Sequence, residues 1–226
     1  MSERPKESWG SGDAYELWVG RWSRIIGGAF VDWLAIPPGQ TWGDVGCGTG
    51  ALAGCILGRS DPAGVLGVDR SEAYVCEARN RVGDARARFE VGDACALPWT
   101  TATCDVTVSG LVLNFVPDSD AMVHEMLRVT RPGGRVAAYV WDYAGGMQMI
   151  RHFWDVAIEL NRGDSRLDQA ERFPICQPDA LEQLFQRAGL ISVSVRAIVV
   201  PTVFRDFEDY WRPFLGNQGA TPTSVA

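Results

Sequence analysis

The 226-residue chain predicts an α/β fold, a doubly wound, mostly parallel sheet with helices on both faces. Three observations predict it. Short Val-rich runs that end in Gly, Asp or Ser alternate with helical segments. A glycine-rich stretch, DVGCGTG at 44–50, stands where the first strand turns into a helix. Asp44, Asp69 and Asp93 recur about one strand–helix unit apart, which lines all three along one carboxyl edge of a parallel sheet.

The elements follow in order. Residues 13–34 read as a helical cap, with Leu17, Trp18, Ile25, Phe30, Trp33 and Leu34 apolar, ending at Pro37-Pro38-Gly39. Strands are predicted over 41–46, 64–69, 87–92, 104–109 and 135–141, each short, apolar and suited to burial on both faces. Helices are predicted over 50–59, over 71–82 opened by Ser71, and over 119–131 opened by Asp118 or Ser119. The last stops at Arg131-Pro132-Gly133-Gly134, because proline cannot continue a helix and glycine accepts a left-handed turn. A helix over 146–162, a polar and mobile loop over 163–176, a helix over 177–188 and a sixth strand over 190–200 come next. Asp206 caps a short helix that runs through Trp211 and ends at Pro213, ahead of a frayed tail over 216–226.

Bulk properties narrow the function. Hydrophobic content of 46% and charged content of 22% are those of one large globular domain. A net charge of −7 argues against a nucleic-acid partner, which needs clustered Lys and Arg. No apolar run reaches the length of a membrane span, and residues 1–12 lack the apolar stretch of a signal peptide. Six cysteines without a CxxC pair, beside two histidines, assemble no metal site and point to reduced thiols in the cytoplasm.

The glycine loop alone fits two cofactor classes. Gly46-x-Gly48-x-x-Ala51, with Asp69 at the distance of a ribose-binding acid, satisfies a relaxed dinucleotide fingerprint. Asp44 argues against that reading, since a carboxylate beside a pyrophosphate costs on the order of 1 kcal/mol or more. A nucleoside that carries an ammonium and a sulfonium suits a row of acids.

The runs DVGCGTG (44–50), GVD (67–69), GDACALPW (92–99), CDVTVSGLVLNFV (104–116) and RPGGRV (131–136) resemble those of class I S-adenosylmethionine-dependent methyltransferases, a Rossmann-like family. The similarity is to the small-molecule branch, of the ubiquinone/menaquinone-biosynthesis type, and it covers about 37–141. It implies S-adenosyl-L-methionine as cofactor, with S-adenosyl-L-homocysteine as product, and methyl transfer to a small-molecule acceptor by in-line displacement. It also implies site residues. Asp44, Gly46, Cys47, Gly48, Thr49 and Gly50 would hold the methionine portion. Asp69 would accept both ribose hydroxyls, with Arg70 beside it, and Asp93 would bond the adenine amino group next to Ala94. The backbone at Ser109 and Gly110 would meet the cofactor's amino group.

On this reading one domain spans the chain: tail and cap at 1–36, cofactor-binding core at 37–141, substrate-covering helices and loop at 142–189, and last strand and C-terminal segment at 190–226. Tyr15, Arg21 and Trp22 from the cap, Trp141 and Tyr143 after the fifth strand, and Tyr210 and Trp211 near the end are candidate acceptor-site walls. No residue is required as a base; His152 is the weak candidate should the acceptor have to lose a proton. The family's sheet has a seventh, antiparallel strand between the fifth and the sixth. Either 198–204 supplies part of that edge or the chain stops short of the usual C-terminal hairpin, and an unpaired fifth strand would then invite a homodimer. The alternative function is a cofactor-binding protein without transfer activity.

Overall fold

The computed structural model describes residues 20–160 and 168–215. Two compact units divide them, one built from 24–140 and 178–198, the other from 20–23, 141–160, 168–177 and 199–215. Among the described residues no helix is long and apolar enough to cross a membrane.

The larger unit holds a five-stranded sheet in the order β3-β2-β1-β4-β5, every pair parallel. Its strands are β1 (Thr41–Val45), β2 (Gly64–Asp69), β3 (Ala87–Val91), β4 (Cys104–Gly110) and β5 (Thr130–Tyr139). Helices α1 (Arg21–Leu34), α2 (Ala51–Arg59), α3 (Glu72–Val82) and α4 (Ser119–Val129) connect or flank them. Alternation along each strand splits the core in two. Trp42, Val65, Val106 and Val108 pack one face against Phe30 and Leu34 of α1, Leu52 and Ile56 of α2, and Val75 of α3. On the opposite face Thr107 Oγ1 meets Thr130 Oγ1 at 2.6 Å, and Thr130 Oγ1 donates to the Met126 carbonyl of α4, whose Met122, Val123, Met126 and Val129 are buried. Helix α7 (Pro178–Arg187) packs on α4 and ties Arg187 to Asp120 at 3.3 Å.

Caps set the helix starts. Ser71 Oγ accepts from the Tyr74 amide and Asp118 from the Ala121 amide, satisfying donors that a first turn leaves open. Asp118→Ala should destabilise the fold by about 1 kcal/mol in denaturant titration; an unchanged midpoint would mean that the cap contributes nothing.

Three expectations need correction. The fourth predicted helix ends at Val129 rather than 131, and Arg131-Pro132-Gly133-Gly134 lies inside β5. Cys104 pairs with Thr130 but Val106 with Arg135, so these four residues bulge opposite Asp105. Asp105 holds the bulge, its carboxylate accepting from Arg131 Nη1 at 2.6 Å and from the Thr41 amide at 2.8 Å. The sixth strand over 190–200 does not form, and 198–204 adds no strand either; Ile191, Val199 and Val203 are exposed, and among the described residues β5 remains a sheet edge. The Val alternation there suits a strand, but a strand exists only where an edge pairs with it. Within the segment expected as a loop, α6 (Gln169–Arg172) and a 3₁₀ turn (Pro174–Cys176) are ordered, while 161–167 fall outside the described residues.

The smaller unit contains α5 (Gln148–Glu159), α6 and α8 (Phe207–Trp211), the last capped by Asp206 as expected and continued by a 3₁₀ turn, Arg212–Leu215. Phe153, Trp211 and Phe214 stack in its centre, and the buried Asp168 receives Arg151 Nη2 at 2.8 Å.

Candidate cofactor site

The strand order reverses between β1 and β4, and the crevice outside their carboxyl ends is where an open parallel sheet binds ligands. Asp44 sits in β1 one residue before its end, on the face shared with Trp42. It is 1% exposed, and both of its carboxylate oxygens are buried without a hydrogen-bond partner among the described residues. Burial first, and the charge of Asp69 second, raise its pKa from 3.8 to about 7; the Ala53 amide, short of a formal hydrogen bond, offsets only part. A carboxyl left in that state lacks a cation.

Four amides of the loop that follows are already taken. The Gly46 and Cys47 amides donate to the Val68 carbonyl at 2.8 and 2.9 Å, Gly48 N donates to Asp69 Oδ2 at 2.9 Å, and Gly50 N to the Cys47 carbonyl at 2.9 Å. A pyrophosphate would need those amides, so the loop favours the cationic nucleoside over the dinucleotide. Its glycines are required by geometry. Gly46 has φ +75°, and a Cβ there would lie 2.5 Å from Val112 Cγ2, while Gly48, at φ +52°, faces open space. Cys47 is a buried filler whose thiol is pushed well up, chiefly by burial and then by Asp44 and Asp69, so it serves no nucleophile. Thr49 Oγ1 accepts from Arg81 Nη1 at 3.2 Å.

Asp69 ends β2 and joins two backbones, Oδ2 accepting from Gly48 N and Oδ1 from Ser71 N, each at 2.9 Å. Each oxygen keeps a lone pair for another donor. Arg70 beside it is exposed. Asp93 lies two residues past β3, exposed, in a turn closed by Cys95 N on Oδ1 at 2.8 Å and by Ala96 N on its carbonyl; Ala94 is half-buried. Ser109 is buried and donates Oγ to the Val45 carbonyl at 2.8 Å, locking the ends of β4 and β1 together. Gly110 leaves no room for a side chain, since a Cβ there would lie 2.5 Å from the Tyr139 hydroxyl oxygen. Leu111 is held at φ +62°, its amide on the Tyr139 carbonyl at 2.9 Å. All twelve residues predicted to bind the cofactor therefore belong to the larger unit, at or just past the carboxyl ends of β1, β2, β3 and β4.

The acceptor-side candidates belong to the other unit. Arg21 lies 4.1 Å over Trp22 and 4.9 Å over Phe204 and pairs with Asp209 at 3.3 Å. Trp22 and Tyr143 are buried, Trp141 is half-buried, and the Tyr210 hydroxyl donates to the Met149 carbonyl at 2.9 Å. Trp211 stacks on Phe207 and Phe214. His152 is exposed on α5, and Tyr15 lies outside the described residues. Sequence reasoning assigned nothing to Asn114, although a single amide within the apolar run Leu111–Val116 is the signal that could have found it.

A family model described as a methyltransferase domain matches residues 43–138. The 2-methyl-6-phytyl-1,4-hydroquinone methyltransferase of Synechocystis is 28% identical over 187 residues, covering 81% of this chain and 57% of that protein. The ubiquinone/menaquinone biosynthesis C-methyltransferase of Cereibacter sphaeroides is 37% identical over 131 residues, covering 56% of this chain and 49% of that protein. The chain thus spans about half the length of these curated relatives. Among solved structures, a Haemonchus contortus phosphoethanolamine N-methyltransferase, in complex with S-adenosylhomocysteine, superposes with a TM-score of 0.61 at 22% identity, covering 80% of this chain and 41% of that one. The buried, unpaired Asp44 and the glycine cradle fit the cofactor of such proteins, S-adenosyl-L-methionine. Residues 43–138 thus match a methyltransferase domain, and quinone-biosynthesis methyltransferases are among the chain's relatives.

Proposed function

We propose that the chain is a single-domain enzyme that methylates a small-molecule acceptor at the expense of S-adenosylmethionine. The bound cofactor supplies a sulfonium methyl group that is already activated for displacement. The protein has only to hold it, align the acceptor in line and exclude water. Asp44 holds the ammonium, and Gly46, Cys47, Gly48, Thr49 and Gly50 present close backbone to the methionine chain. Asp69 uses its remaining lone pairs on the ribose hydroxyls, with Arg70 alongside. Asp93 and Ala94 flank the adenine, and the backbone at Ser109 and Gly110 meets the amino group. The observation that carries the reading is Asp44: a carboxyl 1% exposed, unpartnered among the described residues, beside a loop in which four amides are already used.

For the acceptor side we assign Arg21, Trp22, Trp141, Tyr143, Tyr210 and Trp211, with Tyr15, and a hydroquinone-like aromatic as substrate class, one relative being named for a hydroquinone and another for ubiquinone/menaquinone biosynthesis. His152 is the base assigned should proton removal be required. We further assign a cytoplasmic location, no nucleic-acid partner, and a homodimer through the open edge of β5, which light scattering would test.

Calorimetry with S-adenosylhomocysteine against NAD tests the cofactor reading, and labelled methyl transfer to a panel of quinols tests the acceptor class. Asp69→Ala should weaken S-adenosylhomocysteine binding about 100-fold, as a lost pair of charge-assisted bonds does. Unchanged affinity, or binding of NAD instead, would sink the reading.

A further inference from the structure

Few buried polar side-chain atoms lack a partner among the described residues, and in the larger unit they belong to Asp44, Asn114 and Trp42. Trp42 Nε1 lies within the packed core between sheet and helices. The other two stand on the rim. Asp44 precedes the glycine loop, and Asn114 lies in the loop that leaves the carboxyl end of β4.

These two loops touch. A Cβ on Gly46 would meet Val112 Cγ2 at 2.5 Å and Cγ1 at 2.7 Å, so the Val112 side chain rests on the glycine backbone. Asp44 is two residues before Gly46 and Asn114 two residues after Val112. The second loop is held firmly: Leu111 N donates to the Tyr139 carbonyl at 2.9 Å, and Phe115 N closes a turn on the Val112 carbonyl at 2.8 Å. The Asn114 amide is therefore not a loose surface group; its Nδ2 is buried and faces no acceptor among the described residues.

The two unpaired groups have opposite character. Asp44, once ionised, offers acceptors only, and Asn114 Nδ2 is a donor. Burying each without a partner is unfavourable, and a protein keeps such groups where a ligand completes them. A ligand that completes both at once carries a cationic donor and an oxygen acceptor close together, which is the description of an α-amino acid end. Resting on the cofactor reading above, we infer that Asn114 is a cofactor-binding residue whose Nδ2 donates to the carboxylate of the methionine portion, while Asp44 takes the ammonium on the same carbon. The neutral amide suits that task beside Asp44 and Asp69, where a third charge would compete with them.

The test uses the full chain, S-adenosylhomocysteine, and an analogue of it that keeps the amine but lacks the carboxyl group. Asn114→Leu is nearly isosteric and removes the unpaired donor, so the ligand-free variant should melt about 2–4 °C higher than the parent. It should bind S-adenosylhomocysteine about tenfold more weakly and bind the analogue unchanged. Asn114→Asp, which sets a carboxylate against a carboxylate, should lose more than tenfold on S-adenosylhomocysteine and little on the analogue. Equal losses on both ligands would overturn the inference in favour of a structural role, and an undiminished affinity for S-adenosylhomocysteine would overturn it outright. If the parent protein binds S-adenosylhomocysteine and only the variant pattern fails, the cofactor reading stands without Asn114; if the parent binds neither ligand, both fall.

Discussion

Asp44→Asn should make the ligand-free protein more stable while sharply weakening its affinity for the cofactor. The carboxyl is 1% exposed and its pKa is raised from 3.8 to about 7, first by burial and then by Asp69. For an acid raised on folding the sign is unfavourable: between pH 4 and 7 the folded chain holds a proton that the unfolded chain releases. Stability therefore falls as pH rises through that window and levels off above it. A shift of this size corresponds to about 4 kcal/mol at most. The substituted amide, itself unpaired, returns about 1–3 kcal/mol of that. Asp44→Asn should thus gain about 1–3 kcal/mol at pH 8, a few degrees in melting temperature, and lose the whole of that gain toward pH 4, where the parent's carboxyl is neutral too. The same change removes the ammonium's counter-charge and should weaken S-adenosylhomocysteine binding by about 100-fold. In the parent protein, binding below pH 7 should release a proton, visible as a buffer-dependent enthalpy in calorimetry. A variant that is less stable than the parent at pH 8 would refute the buried-charge account.

Gly134→Ala should be the most damaging of the small substitutions outside the site. A Cβ at Gly134 would lie 2.4 Å from the Asp105 carbonyl oxygen, 2.6 Å from Thr130 Cγ2 and 2.8 Å from the Arg131 carbonyl oxygen. Two of these neighbours are backbone, so no side-chain rotation relieves the clash. The bulge opposite Asp105 must open, at a cost of about 3 kcal/mol, or roughly 6–12 °C in melting temperature. Gly133→Ala is the control. Its φ of +80° is left-handed, but nothing lies within 4 Å of the added carbon, and the expected cost is about 1–2 kcal/mol. The bulge also sets the register that brings Tyr139 opposite Gly110, and Tyr139 carries both the hydroxyl over Gly110 and the carbonyl that holds Leu111. Cofactor affinity should therefore fall with Gly134→Ala and hold with Gly133→Ala. Thermal melts and calorimetry of the two variants decide it; equal behaviour would show that the bulge is pliable.

Tyr139 illustrates how the acceptor side and the cofactor side differ in legibility. The cofactor rim repeats one local pattern, strand end followed by acid, and that pattern puts Asp44, Asp69 and Asp93 along one edge, while the family resemblance adds Ser109 and Gly110. The aromatic positions Trp22, Tyr143, Tyr210 and Trp211 have no such rhythm. A ring that packs a core and a ring that lines a pocket look identical in a sequence, and the structure finds the Tyr210 hydroxyl on Met149 and Arg21 on Asp209.

From the sequence alone came the alternation of strand and helix, the direction of the sheet, the helix caps at Ser71, at Asp118 or Ser119, and at Asp206, and the row of acids. All of these follow from the dihedral preferences and side-chain periodicity of neighbouring residues, which act within a few positions of the chain. Tertiary structure alone decided that 190–200 pairs with no edge, that Arg131–Gly134 bulges inside β5, that four glycine-loop amides are taken by Val68, Asp69 and Cys47, and that the Asp44 carboxylate and Asn114 Nδ2 are buried without partners among the described residues. Each of those outcomes depends on which distant group arrives beside a residue, and on how much water it excludes when it does.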